Sequence, residues 1–305
     1  MKTVTASPDV ALGAKTTAPV SRRLRVPLRR LWRFKWGLLA AAVLVLIVAS
    51  AVCAPWIAPY SPVIVDIQHR LGPPAWMDGG TRTHLLGTDQ IGRDLLSRVI
   101  YGGRVSLVIG TAAVLISSTI GVLLGLAAGY FAGRIDWTIV TLVNVMLTFP
   151  FVLLALAVIA VLGPSLVNMI VVLGVADWPL YARVIRAETL AIREREFVLA
   201  GRALGMSHVR IVFGQILPNL VSVIVVIATL QVARVIILES FLSFLGLGVQ
   251  PPTPAWGSML SESRDFLYVA WWLAAFPGMA LALTALGINL VGDWLRDILD
   301  PKLRV

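Results

Sequence analysis

Six long apolar stretches alternate with polar connections along the 305-residue chain. The first, Trp36 to Ala54, carries no charge and would extend about 28 Å as a helix, close to the roughly 30 Å hydrocarbon core of a bilayer. The second runs from Val105 to Gly129 and the third from Trp137 to Leu162, interrupted by Pro150. Leu166–Tyr181, Leu220–Leu238 and Trp271–Val291 complete the set. The pattern predicts an all-α membrane protein with six transmembrane helices. Ala49-Ser50-Ala51 has the small residues of a cleavage site, but the apolar run before it is longer than that of a leader. The first stretch is therefore read as a retained anchor.

The polar connections carry their own signals. Residues 1 to 35 are polar and then basic, and the part through Pro19 is expected to be disordered. Between Pro55 and Gly103 the chain is polar and Pro-containing, which places it outside the membrane. Asp89, Arg93, Asp94 and Arg98 stand there at helical spacings, predicting a short amphipathic helix at the outer surface with a candidate part in gating the mouth. Gly121, Gly125, Gly129 and Gly133 recur every four residues, a groove into which another helix can pack. Asn144 and Thr148 are placed to satisfy backbone near Pro150 or to face a cavity. Phe241 to Leu247, followed by Pro251, Pro252 and Pro254, predicts a re-entrant or surface-lying segment at the outer face. Arg234 and Glu239 are ionisable groups in or beside the fifth span; they are read as a pair and as candidate pathway residues.

The most polar island between spans is Glu196 to Asn219, with Arg202 and Arg210 inside it and Arg183, Arg186, Arg193 and Arg195 before it. Ala200, Ala203, Leu204 and Ser207 fall on one helical face. Gly205 suits the left-handed position that ends a short helix, and Ser207 can cap a second one running toward Leu217-Pro218. The prediction is two short helices joined by a tight corner of small residues, shaped to fit a groove on a partner.

Charge then orients the chain. With both termini on one side, 19 of the 26 Lys and Arg fall on that side, and only six on the other, with Arg234 in between. By the positive-inside rule the termini and the Glu196–Asn219 island are cytoplasmic. Only 14% of residues are charged against about 25% in soluble domains, so the chain is not expected to carry a water-soluble shell. The basic residues sit beside apolar spans, which argues for lipid and against nucleic acid as the surrounding partner. One cysteine, Cys53, excludes an intrachain disulfide. No Walker A sequence, nucleophile elbow, zinc motif or dinucleotide-binding loop occurs, so no enzymatic activity, cofactor or metal is expected.

Three strings carry a resemblance. Glu196–Asn219 resembles the cytoplasmic loop of bacterial ABC importer permeases, whose signature is Glu-Ala-Ala, then Gly, then Ile-x-Leu-Pro. Here Leu199-Ala200-Gly201 replaces the first element, Gly205 is the glycine, Gln215 stands at the Ile position and Leu217-Pro218 is intact. His84–Gly110, with Gly87-Thr88-Asp89 and Gly92-Arg93-Asp94, is similar to the peptide and nickel permeases of the dipeptide-permease C-subunit type. So is Glu239–Phe266, with its Leu-Ser-Phe-Leu-Gly-Leu-Gly and Pro-Pro-x-Pro-x-Trp-Gly strings.

The resemblance implies a type I ABC importer permease fold. Its parts would be a basic cytoplasmic tail (1–35), an anchor with an extracytoplasmic segment (36–103), and a five-helix core (104–305) with a coupling loop at about 182–218. It also implies a second, homologous permease, two cytoplasmic ATPases and an extracytoplasmic substrate-binding protein as partners, in a bacterial inner membrane. Glu196, Ala200, Gly201, Arg202, Ala203, Leu204, Gly205, Ser207, Arg210, Leu217 and Pro218 are the implied contact with the ATPases. Di- or oligopeptides lead as solute, with nickel or glutathione as alternatives within the family. From another class, an ion-coupled secondary transporter would require a defined ion site and, often, internal repeats, and neither is visible.

Overall fold

A computed structural model describes residues 35–299, and the expectations for the N-terminal tail and the last six residues fall outside them. Regular structure in this range is helical, without a strand among the described residues, and the stretch from 58 to 94 is irregular apart from one short turn, Ile67–His69. Of the twelve α-helices among the described residues, eleven organise it: α1 (Lys35–Val52), α2 (Leu95–Phe131), α3 (Gly133–Thr148), α4 (Phe151–Leu162), α5 (Leu166–Ala176), α6 (Trp178–Arg193), α7 (Glu196–Ala203), α8 (His208–Ile211), α9 (Leu217–Phe244), α10 (Trp256–Glu262) and α11 (Trp272–Leu299). Shorter turns lie between them.

Six spans were expected. Four helical stretches are long and apolar enough to cross a membrane: α2, Leu166–Arg193 (α5 with α6), His208–Phe244 and α11. The α3–α4 pair makes a fifth if its two halves count as one span. A sixth would be α1, whose apolar part, Gly37–Val52, is shorter than the others. At its far end α1 stops at Val52, and Pro55 falls in the first turn of a separate four-residue helix, Ala54–Ile57.

The breaks have identifiable causes. Pro150 lacks an N–H and forces Phe149 into extended backbone (φ −80°, ψ 130°), so α3 and α4 meet at 83°. The expected interruption is a sharp bend. Thr148 donates to the carbonyl of Asn144 (2.8 Å), and Asn144 lines a cavity of about 250 Å³ with Arg183 and Arg186 between α3 and α6. Asp177 (φ −101°, ψ 0°) separates α5 from α6, with Pro179 in the first turn of α6. Helix then continues to Arg193, twelve residues past the expected end of the fourth span, and takes Arg183 and Arg186 out of the predicted loop. Likewise α9 extends to Phe244, so the segment expected to leave the helix at Phe241 does so only at Leu245.

Packing centres on α2, which is 37 residues and about 55 Å long, well beyond the bilayer core. Asp94 caps it, its carboxylate accepting from Ser97 N–H at 2.8 Å. Its most extensive partner is α6. The expected glycine groove is the reason: a Cβ on Gly125 would lie 2.8 Å from the Ala182 carbonyl, and one on Gly129 2.8 Å from the Arg186 carbonyl. Gly121 likewise faces Trp178, Tyr181 and Ala182. Gly133 is the exception. It lies beyond the groove, at φ +58° at the start of α3, with nothing near the Cβ position.

Gly125→Val should lower the stability of the purified chain by about 1–3 kcal/mol through overpacking, read as a fall in melting temperature in detergent. Gly214→Ala has only Arg210 Cγ at 4.0 Å and should be neutral or slightly stabilising. Equal melting of Gly125→Val and the parent would refute the close-contact account.

Candidate functional site

The polar island folds as predicted in outline. α7 ends at Leu204, and Gly205 follows in the left-handed region at φ +73°. Met206 N–H donates to the Gly201 carbonyl and Gly205 N–H to the Arg202 carbonyl, both at 3.0 Å. This pairing is the Schellman arrangement, which satisfies the last carbonyls of a helix by means of a glycine. Nothing lies within 4 Å of the Gly205 Cβ position, so the corner stands open.

Ser207 occupies the position before α8 (φ −64°, ψ 147°), but its hydroxyl makes no capping bond; only its carbonyl, accepting from Ile211 N–H, joins the helix. The helix reaches Leu217-Pro218 through a widened π-turn, Val212–Ile216, in which Leu217 N–H donates to the Val212 carbonyl. An α-helix would drive the Pro218 ring into the carbonyl four residues back, and the extra residue in the turn relieves that clash.

One face of the corner is closed and the other is open. Val198, Gly201, Ile211, Val212 and Ile216 are buried and join a core with Leu126, Ile185, Ile192 and Leu220. Glu196, Ala200, Arg202, Ala203, Leu204, Gly205, Ser207 and Arg210 are exposed, Leu204 at 83%. Two of the three departures from the loop signature meet each other: a Cβ on Gly201 would come 3.0 Å from Gln215 Nε2. A larger residue at 201 would therefore have to move the glutamine. Polar contacts tie the corner to the end of α2. Tyr130 Oη lies 2.8 Å from His208 Nδ1, the Arg202 guanidinium sits 5.0 Å over the Tyr130 ring, and Arg193 Nη1 donates to the Gly129 carbonyl at 3.0 Å.

The opposite end of α2 holds a second cluster, and here the helix expectation fails. Residues 88–94 form an irregular loop closed by a bridge between Thr88 and Asp94. Asp89 caps this loop, accepting from Ile91 N–H (3.0 Å) and Arg93 N–H (2.9 Å), because Gly92 at φ +82° turns the chain back. Asp89, Arg93, Asp94 and Arg98 are all buried, so an amphipathic surface helix is replaced by an ion cluster. Arg93 Nε donates to Asp89 Oδ2 at 2.6 Å, and Arg98 also donates to Asp89. Both arginines reach Glu262 of α10 at 2.9 Å. His84 Nδ1 lies 2.9 Å from the capping carboxylate of Asp94.

Glu262 is the member that sequence reading missed, since its partners lie 164 residues or more away in the chain. Nearby, Trp256 Nε1 donates to the Val99 carbonyl (2.9 Å), and its ring fills the place of side chains at Gly102 and Gly103. Two of the strings singled out in the sequence thus fold against each other.

The expected Arg234–Glu239 pair does not form. They stand five residues apart, about 140° around the helix. Arg234 Nη1 instead donates to Asp177 Oδ1 at 2.8 Å, and Gln231 Nε2 donates to Asp177 Oδ2. Glu239 is fully buried, where the hydroxyls of Ser243 (2.7 Å), Ser106 (3.1 Å) and Ser240 (3.3 Å) donate to it.

Burial by itself would raise the Glu262 carboxyl, but hydrogen bonds and charge from Arg98, with Gln90 and Arg93, outweigh it and hold the group below its ordinary 4.5. A carboxylate depressed on folding stabilises fully above its unfolded value and loses that contribution as pH falls through its folded value. Glu262→Gln should therefore cost about 3 kcal/mol at pH 7, and the gap between parent and variant should narrow as pH falls below 4.5 toward the depressed folded value. Thermal melts across pH 3–7 measure this; a gap independent of pH would refute it.

Comparison with known proteins then places the chain. Residues 121–305 match the family described as the binding-protein-dependent transport system inner membrane component. Residues 24–74 match the N-terminal transmembrane domain of oligopeptide transport permease C. The di/tripeptide transport system permease protein of Pseudomonas aeruginosa is 44% identical over 282 residues, covering 91% of this chain and 93% of that one. The dipeptide transport system permease protein of Escherichia coli K12 is also 44% identical, covering 91% and 94%. That of Haemophilus influenzae is 40% identical, covering 94% and 98%. Among solved structures, two inward-facing forms of the MetNI methionine ABC transporter share the fold, with TM-scores of 0.54 and 0.57 at 20% identity. They cover 67% and 68% of this chain and 96% and 98% of theirs. With a family match over more than half its length and relatives that align nearly end to end, the chain belongs to the binding-protein-dependent transport system inner membrane components.

Proposed function

We propose that this chain is one of two permease subunits of an ATP-driven importer of di- or oligopeptides, and that the Glu196–Pro218 corner is where separate ATPase subunits deliver force. The single observation that carries the coupling role is the open Gly205 corner, exposed on one side and continuous with the α2–α6 core on the other. The peptide class rests on the names of the relatives. The basic residues around the corner orient it, with both termini, to the cytoplasm. The opposite cluster, Asp89, Arg93, Asp94, Arg98 and Glu262, then lies at the outer mouth, where a substrate-binding protein docks and the clamp between α2 and α10 takes part in gating. ATP hydrolysis belongs to the partners, and the chain itself performs no covalent chemistry.

Force on Ala200–Ser207 has a short route inward. The corner shares a core with α2 and α6, and Tyr130, His208, Arg202 and Arg193 bind it to the end of α2. Because α2 and α6 touch backbone to backbone, they cannot slide independently without opening voids. A push on the corner therefore rocks them as one body between inward- and outward-facing states.

Gly205→Trp would add bulk where a partner must sit, and strain of about 1–2 kcal/mol at a left-handed position. In proteoliposomes holding the whole complex, peptide imported per ATP hydrolysed should fall several-fold. Gly205→Asn tolerates the same backbone with a small side chain and should retain most coupling. Unchanged coupling in the Trp variant would sink the docking assignment. A panel of labelled peptides and nickel tests the solute: import of nickel alone overturns the peptide reading.

A further inference from the structure

Two helix breaks and one arginine converge within the spans. The first break is the 83° bend at Phe149-Pro150, and the second is Asp177 between α5 and α6. Arg234, on the unbroken α9, touches both: Nη1 donates to Asp177 Oδ1 at 2.8 Å, and its guanidinium carbon stands 5.7 Å from the centre of the Phe151 ring, at the start of α4. Asp177 is buried and its second oxygen is taken by Gln231. Arg234 lies ten residues before the end of α9, and Asp177 eleven residues after the start of α5. Those separations are about 15 and 17 Å along the helices, which puts both groups inside apolar spans and away from the span ends.

Irregular backbone and charge inside a span are tolerated only where protein or a water-filled cavity replaces lipid. Discontinuous helices meeting within the membrane are, on physical grounds, the place where transporters hold solute. Arg234 is built to offer something there. Its side chain is 46% exposed, whereas the Asp177 side chain is 6% exposed. Among the described residues only its Nη1 has an acceptor, which leaves the Nε and Nη2 donors open. A guanidinium anchored along one edge presents a planar fork of N–H donors along the other, and the group that matches such a fork is a carboxylate. Lipid headgroups, the other abundant anions of a membrane, lie at the span ends.

We propose that Arg234, anchored by Asp177 and backed by Phe151, is a specificity-determining contact for the terminal carboxylate of the transported peptide. This rests on the peptide-importer reading above. The carboxylate is held by the open edge of the guanidinium while the Asp177 edge stays occupied. A side-chain carboxylate of the second permease is the competing occupant, and the test separates the two.

The probe is a labelled dipeptide with a free C-terminus and the same dipeptide as its C-terminal amide. Equilibrium binding is measured on the permease–ATPase complex in nanodiscs, which keeps the binding protein's own selectivity out of the readout. The parent complex should retain the acid about tenfold better than the amide, the worth of one charged hydrogen-bonding group. Arg234→Gln should bring that ratio close to one, and Arg234→Lys should restore an intermediate ratio. Misfolding lowers both ligands together, so the ratio, not the amount bound, is decisive, with Arg234→Lys as the variant that keeps the charge. Equal retention of acid and amide by the parent overturns the inference and leaves the peptide reading intact. So does an unchanged preference in Arg234→Gln, which would assign Arg234 to the second permease. A parent complex that imports peptide but retains neither ligand overturns the inference alone, and one that neither binds nor imports peptide overturns both readings.

Discussion

The backbone contact between α2 and α6 is the constraint on which the rest depends. Gly121, Gly125 and Gly129 bring the two helices so close that carbonyls of α6 occupy the space of absent side chains. In lipid there is little hydrophobic drive to hold helices together, and close van der Waals packing supplies it. The contact also sets mechanics. At one end of α2 it fixes the seat of the Gly205 corner, through Tyr130 and Arg193; at the other, α2 carries the Asp89–Arg93–Arg98–Glu262 cluster. A helix of about 55 Å gripped along one face is a strut between the two.

The polar residues of the chain sort by how they are satisfied. Glu239 is surrounded by serine hydroxyls on its own and a neighbouring helix, a closed arrangement with no opening to a solute. In the cluster at the other end of α2, Arg93 and Arg98 face Asp89 and Glu262, while Asp94 is held by Ser97 and His84. Arg234 differs because one edge of its guanidinium is open. Among charged groups inside the spans, an unfinished one is the informative one, since lipid would penalise it.

The corner owes its form to the same economy of backbone. Gly205 supplies the left-handed residue that closes α7, and the π-turn before Leu217 absorbs a proline that an α-helix would reject. Gly201 against Gln215 explains how the loop accommodates two of its departures from the signature: the missing side chain makes room for the longer one. The exposed Leu204 and the small residues beside it are left facing outward by that closure.

Local rules made much of this readable from sequence. Apolar length gave four spans and the bent pair but not a full-length first one, four-residue glycine spacing gave the α2 groove, Pro150 gave the bend, and Gly205 gave the corner, because each depends on residues within a turn or two of one another. Partners across the fold were not readable. The Asp89, Arg93 and Arg98 spacing fits a helix as well as it fits a loop folded on Gly92, and only Glu262 arriving from α10 decides between them. Arg234 had Glu239 as its near neighbour in sequence, yet helix geometry turns them apart and the break at Asp177 brings a closer acceptor. Sequence set which helices form and where they bend; the tertiary structure chose which charges meet, since pairing energy falls with distance in space and is blind to distance along the chain.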